Sequence, residues 1–414
     1  MRVLHLSLVA GGDLRDAQGE RLGRVDDLIV RLEGEDYPPV SGAVATVASR
    51  QVFVPAAQIE SIEHGAVSLR AESLDLQHFR RRPGEVLLKK DVLDRQMINV
   101  DGARLVRANE IELARLDGWY RAVGVDTGLR GLVRRLVPRP LAERVEPGGF
   151  LDWASIEPFT GHVPTVRLRV PHPKLARLHP AQLADLVEAA SHNEGEEILA
   201  AVAADPEREA DLFEELEDQH QREFVEDRDD AAIADLLARM EADDAADLVL
   251  QLPEERREPV IGLLSPAHAR RIRTLLGYDP ATAGGLMSPE FICLYGDATR
   301  EEALDRVAHS RVHADAAAWL YAMSIHRRLH GAVRLADLVR APEGTRLADL
   351  ISSVQTVAPE AELEEVARLM TDFDMTVVPV VDSEHVLLGV ITVDDVLELV
   401  LPEGWRRRFN LLGE

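Results

Sequence analysis

The sequence predicts a multidomain α+β protein: a small N-terminal β-barrel, an all-α superhelical domain, then a tandem βαββα pair, with no transmembrane segment. Three observations carry that expectation. The hydrophobic period is strand-like up to about residue 155, helical over 176–276, and mixed afterwards. Acid is concentrated in the helical stretch, where residues 205–258 hold 21 Asp/Glu against 6 Lys/Arg in a chain of net charge −26. The longest run without a formal charge, Tyr37–Ser49, has 13 residues and includes Pro38 and Pro39. A spanning helix needs roughly 20 apolar residues.

Composition sets the outer limits. With 414 residues, 46% apolar and 29% charged, the chain can build several hydrophobic cores and is not of disordered type. The single cysteine, Cys293, allows no intramolecular disulfide and suits a reducing, cytoplasmic setting. The negative charge counts against nucleic-acid binding, which needs a basic surface to replace counterions. The basic runs at 78–83, 130–144 and 405–409 read as solvated faces.

Residues 1–155 form the β domain. "RVDDLIVRLE", "VSGAVATV", "QVFVPAAQI" and "GAVSLRAE" are short, β-branched and separated by Gly, Pro and Asp. An internal echo links "DAQGERLGRVDDLIV" (16–30) to "VDGARLVRANEIEL" (100–113), which suggests two hairpin units closed into one barrel. The pattern D-x-x-G-x-x-L-G-x-V at Asp16, Gly19, Leu22, Gly23 and Val25 resembles a PRC-barrel domain; in the second copy Val106 replaces the second glycine. Residues 156–175, rich in proline, read as a linker.

Helices follow over 176–276. Leu183, Leu186, Val187 and Ala190 share one helical face, as do Ile233, Leu236, Leu237 and Met240, and Ala245, Leu248, Val249 and Leu252. Breaks come at Pro180, Asp205-Pro206, Pro253 and Ser265-Pro266, and short amphipathic helices of this kind must stack to bury their faces. Two βαββα copies come next, over 277–340 and 341–402, with "GAVRLADLV" (331–339) echoing "GVITVDDVL" (389–397); a tail occupies 403–414. The second copy, with Gly389 and "VITVDD", resembles a CBS domain, and the first resembles a degenerate one.

Between helices and pair lies "YDPATAGGLM" (278–287). Acidic helices, this segment with Tyr278, Ala283, Gly284, Leu286 and Met287 in place, and paired CBS domains resemble the cytosolic part of MgtE-type magnesium transporters. In that family a pore follows the second CBS domain, whereas this sequence stops about a dozen residues later, so the expectation is that it conducts no ion itself. The resemblance implies that carboxylates of the helical domain face those of the CBS pair and hold Mg²⁺. It places Asp211, Asp243 and Asp247 on the helical side and Asp374, Asp395 and Glu398 on the CBS side.

The residue chemistry agrees with that implication. Mg²⁺ prefers carboxylate and water oxygens. Asp243 and Asp247 at i, i+4, and Asp395 and Glu398 at i, i+3, each share a helix face. Two carboxylates ~5 Å apart repel by roughly 3 kcal/mol at an effective dielectric near 20. The same acids at helix starts could instead cap free N–H groups. CBS pairs also bind adenine nucleotides through a pattern that Gly389, Thr392 and Asp395 satisfy, so Asp395 has two claimants. His309 and His313, spaced i, i+4, form a weaker metal candidate without a third ligand. No catalytic constellation stands out, so an enzyme is not expected. The expectation is a magnesium-responsive regulator, homodimeric through its CBS pair and acting on a membrane transporter at the inner face of the membrane. The alternatives are an adenine-nucleotide sensor, or a PRC-barrel scaffold for protein or RNA.

Overall fold

The computed structural model describes residues 3–32, 35–70, 79–137, 149–163 and 172–401, so the tail, the basic run at 405–409 and the middle of the expected linker lie outside it. The chain divides into two compact units, Met1–Ala204 and Asp205–Glu414.

In the first unit, strands β1 (Leu4–His5), β2 (Asp13–Arg15), β3 (Arg21–Arg31), β4 (Val40–Val47) and β5 (Arg50–Pro55) come first. They are followed by β6 (Ile59–Glu63), β7 (Ala66–Leu69), β8 (Glu85–Leu87), β9 (Gln96–Asn99) and β10 (Arg104–Arg107). The last four are β11 (Glu110–Leu116), β12 (Trp119–Asp126), β13 (Leu151–Asp152) and β14 (Ile156–Pro158). The largest sheet runs β5-β4-β3-β2-β7-β6, with β8 added beside β3; β1-β11-β12-β13 and β10-β9-β14 make two smaller ones. Their inward residues share one core, in which Leu6, Leu14, Val25, Leu28, Ile111, Leu113 and Val125 have no solvent exposure.

The echo in the sequence is a real structural repeat. The Asp16 carboxylate accepts the backbone N–H groups of Gln18 and Glu20, closing a turn in which Gly19 has φ +85°. A Cβ on Gly23 would lie 2.2 Å from the Thr46 carbonyl oxygen, so glycine is required where β3 meets β4. In the second copy, Gly102 N–H donates to the Asn99 side chain in the β9–β10 turn. The halves are interlocked: β1 pairs with β11 of the second half, and β8 pairs with β3 of the first. A buried acid closes each crossing. Asp27 accepts N–H bonds from Leu28, Lys89 and Lys90, while Glu110 accepts them from Ile111 and Ser7.

The expected closed barrel is not what these halves make: among the described residues the sheets stay open, with β5 and β6 at the edges of the large one. Side chains protect those edges in place of closure. The Tyr120 hydroxyl accepts the Ile62 N–H and donates to the Ile62 carbonyl on β6, and the Phe79 N–H reaches the Gln51 carbonyl on β5.

Helices α1 (Leu6–Val9), α2 (Leu129–Leu136), α3 (Pro180–Ala189) and α4 (His192–Val202) complete this unit. The segment expected as a linker is anchored at both described ends. At the first, β14 joins β9. At the second, buried His172 sits between Glu157 (3.4 Å) and Glu197 (3.1 Å). Burial alone would discharge that imidazole, but the two carboxylates outweigh it and push its pKa up to about 9.

In the second unit the helices are α5 (Pro206–Glu214), α6 (Asp218–Glu226), α7 (Asp230–Leu237), α8 (Ala242–Gln251), α9 (Glu254–Leu263), α10 (Pro266–Leu275) and the single turn α11 (Ala283–Leu286). The breaks seen in the sequence are helix starts. Asp205 and Ser265 cap α5 and α10 through their side chains, with Pro206 and Pro266 in the first turn where a missing N–H costs nothing. The apolar stripes of α7 and α8 are buried as their spacing requires.

Two βαββα copies follow. The first comprises β15 (Ile292–Tyr295), α12 (Arg300–Ala308), β16 (Trp319–Met323), β17 (Leu329–Arg334) and α13 (Leu335–Arg340). The second comprises α14 (Leu363–Phe373), β18 (Val377–Val381), β19 (Leu387–Thr392) and α15 (Val393–Val400). In the first copy β15 runs parallel to β16, and in the second Val357 bridges Val380 in the same sense. "YDPATAGGLM" docks onto the second copy: Ala283 and Gly284 donate N–H bonds to the carbonyls of Ala361 and Pro359, and Ser288 pairs with Val390. Its glycines are steric necessities. A Cβ on Gly284 would meet the Tyr278 ring at 2.6 Å, and one on Gly285 the Asp279 carbonyl oxygen at 2.5 Å.

The cross-caps make a prediction. Asp27→Ala strips the acceptor from three backbone N–H groups and should cost roughly 2–4 kcal/mol in denaturant unfolding. Hydrogen exchange at Lys89 and Lys90 should quicken in parallel; unchanged exchange there would refute the capping role.

Candidate metal centre

The second unit gathers acid from three helices. Asp211 and Glu214 come from α5, Asp243 and Asp244 from the first turn of α8 and Asp247 from its second, and Asp395 and Glu398 from α15. Glu241, the residue before α8, joins them, its backbone N–H donating to Glu214 Oε1 at 2.7 Å. His313 lies at the edge, with Nδ1 3.8 Å from Glu241 Oε1 and 3.5 Å from Asp315 Oδ2.

Asp211, Glu214, Glu241, Asp243, Asp244, Asp247 and Asp395 hold their protons more tightly than a free carboxyl, because each carboxyl is partly desolvated and faces like charge. Burial, then the charges of Asp395, Glu241 and Asp247, raise Asp243 well above the carboxylate range. Asp244 is raised in the same way, by burial first and then by Asp243, Glu214, Glu241 and Asp395. Burial with Glu241, Asp211 and Glu215 pushes Glu214 up to about 7, against the backbone bond from Glu241. Asp247 is exposed over much of its surface but crowded at its carboxylate, which desolvation, Asp218 and Glu398 push up to about 6. Asp211, Glu241 and Asp395 are raised too, again by burial first, and His313 acts on all three in the opposite sense.

Capping explains part of this arrangement. Asp395 Oδ2 accepts the N–H and the hydroxyl of Thr392, closing a capping box at the start of α15. The first copy has a counterpart, with the Arg334 guanidinium donating to Asp337 at 2.9 Å. Asp374 stands apart: it is exposed and caps the C-terminus of α14 in a left-handed conformation, φ 51°, and no described contact joins it to the others. The box leaves Asp395 Oδ1 unused. Capping also gives no account of Asp243, whose Oδ1 is sealed from solvent without a hydrogen-bond partner.

A buried, unpartnered carboxylate oxygen among like charges is an arrangement a cation would relieve. The donors are all carboxylates, which suits a hard divalent ion. Among the described residues no three of them bring ligand atoms within 4.8 Å of one another. The structure therefore brings Asp211, Asp243 and Asp395 into one field, and Asp247 with Glu398 into its margin. Sequence reasoning missed Glu214, Glu241 and His313. Glu214 was legible, being i+3 from Asp211, but Glu241 precedes its helix and His313 lies on a loop. His309 and His313 do not share a helix, because α12 ends at Ala308. Gly389 is buried, with a Cβ there 2.7 Å from the Ser288 carbonyl oxygen, and Thr392 is nearly buried.

The class of protein these elements define is an acidic helical domain leading into a tandem βαββα pair. The comparisons carry this further: residues 178–281 match the MgtE intracellular N domain and 347–402 a CBS domain. This part of the chain is homologous to the cytosolic part of MgtE magnesium transporters. The magnesium transporter MgtE of Thermus thermophilus is 38% identical over 143 residues, 34% of this chain and 32% of the relative. That of Enterococcus faecalis is 30% identical over 146 residues, 35% of this chain and 32% of the relative. The chain thus spans about a third of the length of these relatives. Among solved structures, the soluble part of a magnesium transporter matches 55% of this chain and 90% of its own, at 26% identity and TM-score 0.51. The cytosolic domain of the Mg²⁺ channel MgtE in complex with ATP matches 55% and 92%, at 29% identity and TM-score 0.50. Among the described residues, no helix is long and apolar enough to cross a membrane.

The raised carboxyls set the pH response without divalent ions. A native acid whose pKa lies above its unfolded value binds extra protons in between, so stability is greatest below that interval and falls as pH rises through it. With Asp247 at about 6 and Glu214 at about 7, the second unit in chelator should melt at lower temperature at pH ~7.5 than at pH ~5. Asp243→Asn should raise the melting temperature at pH ~7.5 by removing one buried charge. A lowered value would reverse the assignment.

Proposed function

We propose that this chain is a non-enzymatic, magnesium-responsive regulatory protein whose helical domain and CBS pair are drawn together by Mg²⁺, and that it acts on a membrane transporter in magnesium homeostasis. The observation that carries this is the solvent-sealed, unpartnered Oδ1 of Asp243 amid carboxylates from α5, α8 and α15. Asp211, Asp243 and Asp395 would hold the ion, with Asp247 and Glu398 at the margin; Asp374 has no part in it. Bound Mg²⁺ supplies the positive charge that converts repulsion between the helices into attraction. Everything else is the chain's own: α8 presents its acids at a helix start, and the Thr392 box fixes Asp395 so that its second oxygen is available. Such an element has two states biased by a ligand. The CBS pair also offers a dimer surface, with Phe373, Leu397, Leu399 and Val400 exposed on α14 and α15. The setting proposed is the cytoplasm, at the inner membrane face through the partner.

The test is isothermal titration of the full chain with Mg²⁺ to ~20 mM. Saturable binding that Asp243→Ala with Asp395→Ala abolishes is expected. No saturable binding, or binding the double variant retains, would reject the reading.

A second reading, adenine-nucleotide binding, draws on the Gly389, Thr392 and Asp395 pattern and on the ATP held by the structural relative. It predicts that ATP raises the melting temperature in chelator and that Thr392→Val removes the shift. No shift with ATP or AMP would exclude it.

A further inference from the structure

The first unit carries a built groove of its own. Its larger chamber, about 470 Å³, is lined by Arg31, Pro39, Val40, Ala56, Trp119 and Arg121. A smaller chamber of about 110 Å³ adjoins it, sharing Val40, Ala56, Ala57 and Trp119, and adds Arg70, Arg115 and Tyr120. The floor is apolar and small-sided. Trp119, at the tip of the β11–β12 hairpin, stands half exposed between the chambers, whereas Trp153 of the same unit is buried in the core. Exposure of an indole costs burial energy with no return inside the fold, which marks it as a contact residue.

The charge around it is opposite to that of the molecule. Arginines flank both chambers, Arg31 and Arg121 on one side and Arg70 and Arg115 on the other, and among the described lining residues the acids are Glu35 and Glu60. Three of the four are held in place. Arg121 pairs with Glu35 and donates to the Tyr37 carbonyl at 2.7 Å; Arg70 donates to the Ile59 carbonyl at 3.1 Å, and Arg115 to the Gly118 carbonyl at 3.4 Å. In a chain of net charge −26, a basic groove around an exposed indole is a local exception.

We propose that this groove binds an acidic peptide segment of a partner protein, one apolar residue seated against Trp119 and carboxylates on either side meeting the guanidinium groups. Guanidinium recognises carboxylate by paired hydrogen bonds, and the indole over a floor of Val40, Ala56 and Ala57 takes the apolar residue. A chamber of this size holds one or two large side chains. The paired arginines on both sides select for acid before and after the anchor. Single-stranded RNA would also stack on an indole and pair with arginine, but the net negative charge of the chain opposes it.

The experiment pans a random 12-residue displayed peptide library on the full chain and on its Trp119→Ala variant. Recovered peptides and an oligouridine 12-mer are then titrated by fluorescence anisotropy. Enrichment of Asp/Glu on both sides of an apolar residue is expected. Binding should weaken about tenfold or more in Trp119→Ala and in Arg31→Ala, and further as salt rises. Circular dichroism melts matching the parent verify that these exposed substitutions leave the fold intact. The proposal is overturned by no enrichment over Trp119→Ala, by neutral or basic consensus peptides, or by oligouridine binding tighter than the acidic peptides at the same residues.

Discussion

Like charge crowded where several carboxyls have lost much of their water is the constraint on which the second unit depends. Helices α5, α8 and α15 each bring acid to one region, and desolvation raises the cost of charge on Asp211, Asp243 and Asp395 above its value in water. The fold around it is built to keep that acid in position rather than to disperse it. Asp395 is fixed by Thr392, Glu214 by the backbone of Glu241, and α15 by the strand that precedes it. The glycines at 284, 285 and 389 let the connecting segment lie against the second CBS copy, which keeps the two acidic walls within one compact unit.

Much of this was legible in the sequence, for identifiable reasons. Helical stripes such as Ile233, Leu236, Leu237 and Met240 announce their burial because a 3.6-residue period has no other use in a polar stretch. Proline after a capping residue marked helix starts correctly, since the missing N–H is free of cost only there. The carboxylates of α5, α8 and α15 came from the family resemblance and act on one another in the structure, whereas Asp374, at the end of α14, has no described contact with them. Its position has a local reason: an aspartate that ends a helix in the left-handed region serves the backbone. Glu241 and His313 could not be found by pattern, because they reach the cluster through tertiary packing of a cap and a loop.

The first unit teaches a related lesson. Its repeat was visible as an echo of Gly19-Glu20-Arg21-Leu22 in Gly102-Ala103-Arg104-Leu105, but the sequence could not say that the halves exchange strands. Closure into a barrel was the natural inference from edge protection, and the chain meets the same need with the Tyr120 hydroxyl on β6. Asp27 and Glu110 occupy matching positions and do matching work, each capping a turn contributed by the other half. That reciprocity gives each of these two buried acids backbone donors from the other half, as a buried carboxylate requires.

A divalent ion that locks α8 to α15 is the central element of the second unit's proposed response. Amide hydrogen exchange of the full chain at neutral pH, with Mg²⁺ or with chelator, reads this directly. Added Mg²⁺ should slow exchange across Ala242–Gln251 and Val393–Val400 together, while Asp27-capped amides in the first unit stay as they were. Equal exchange in both conditions at those two helices would mean that the opposed acids are held apart by the fold alone, and the central claim would be wrong.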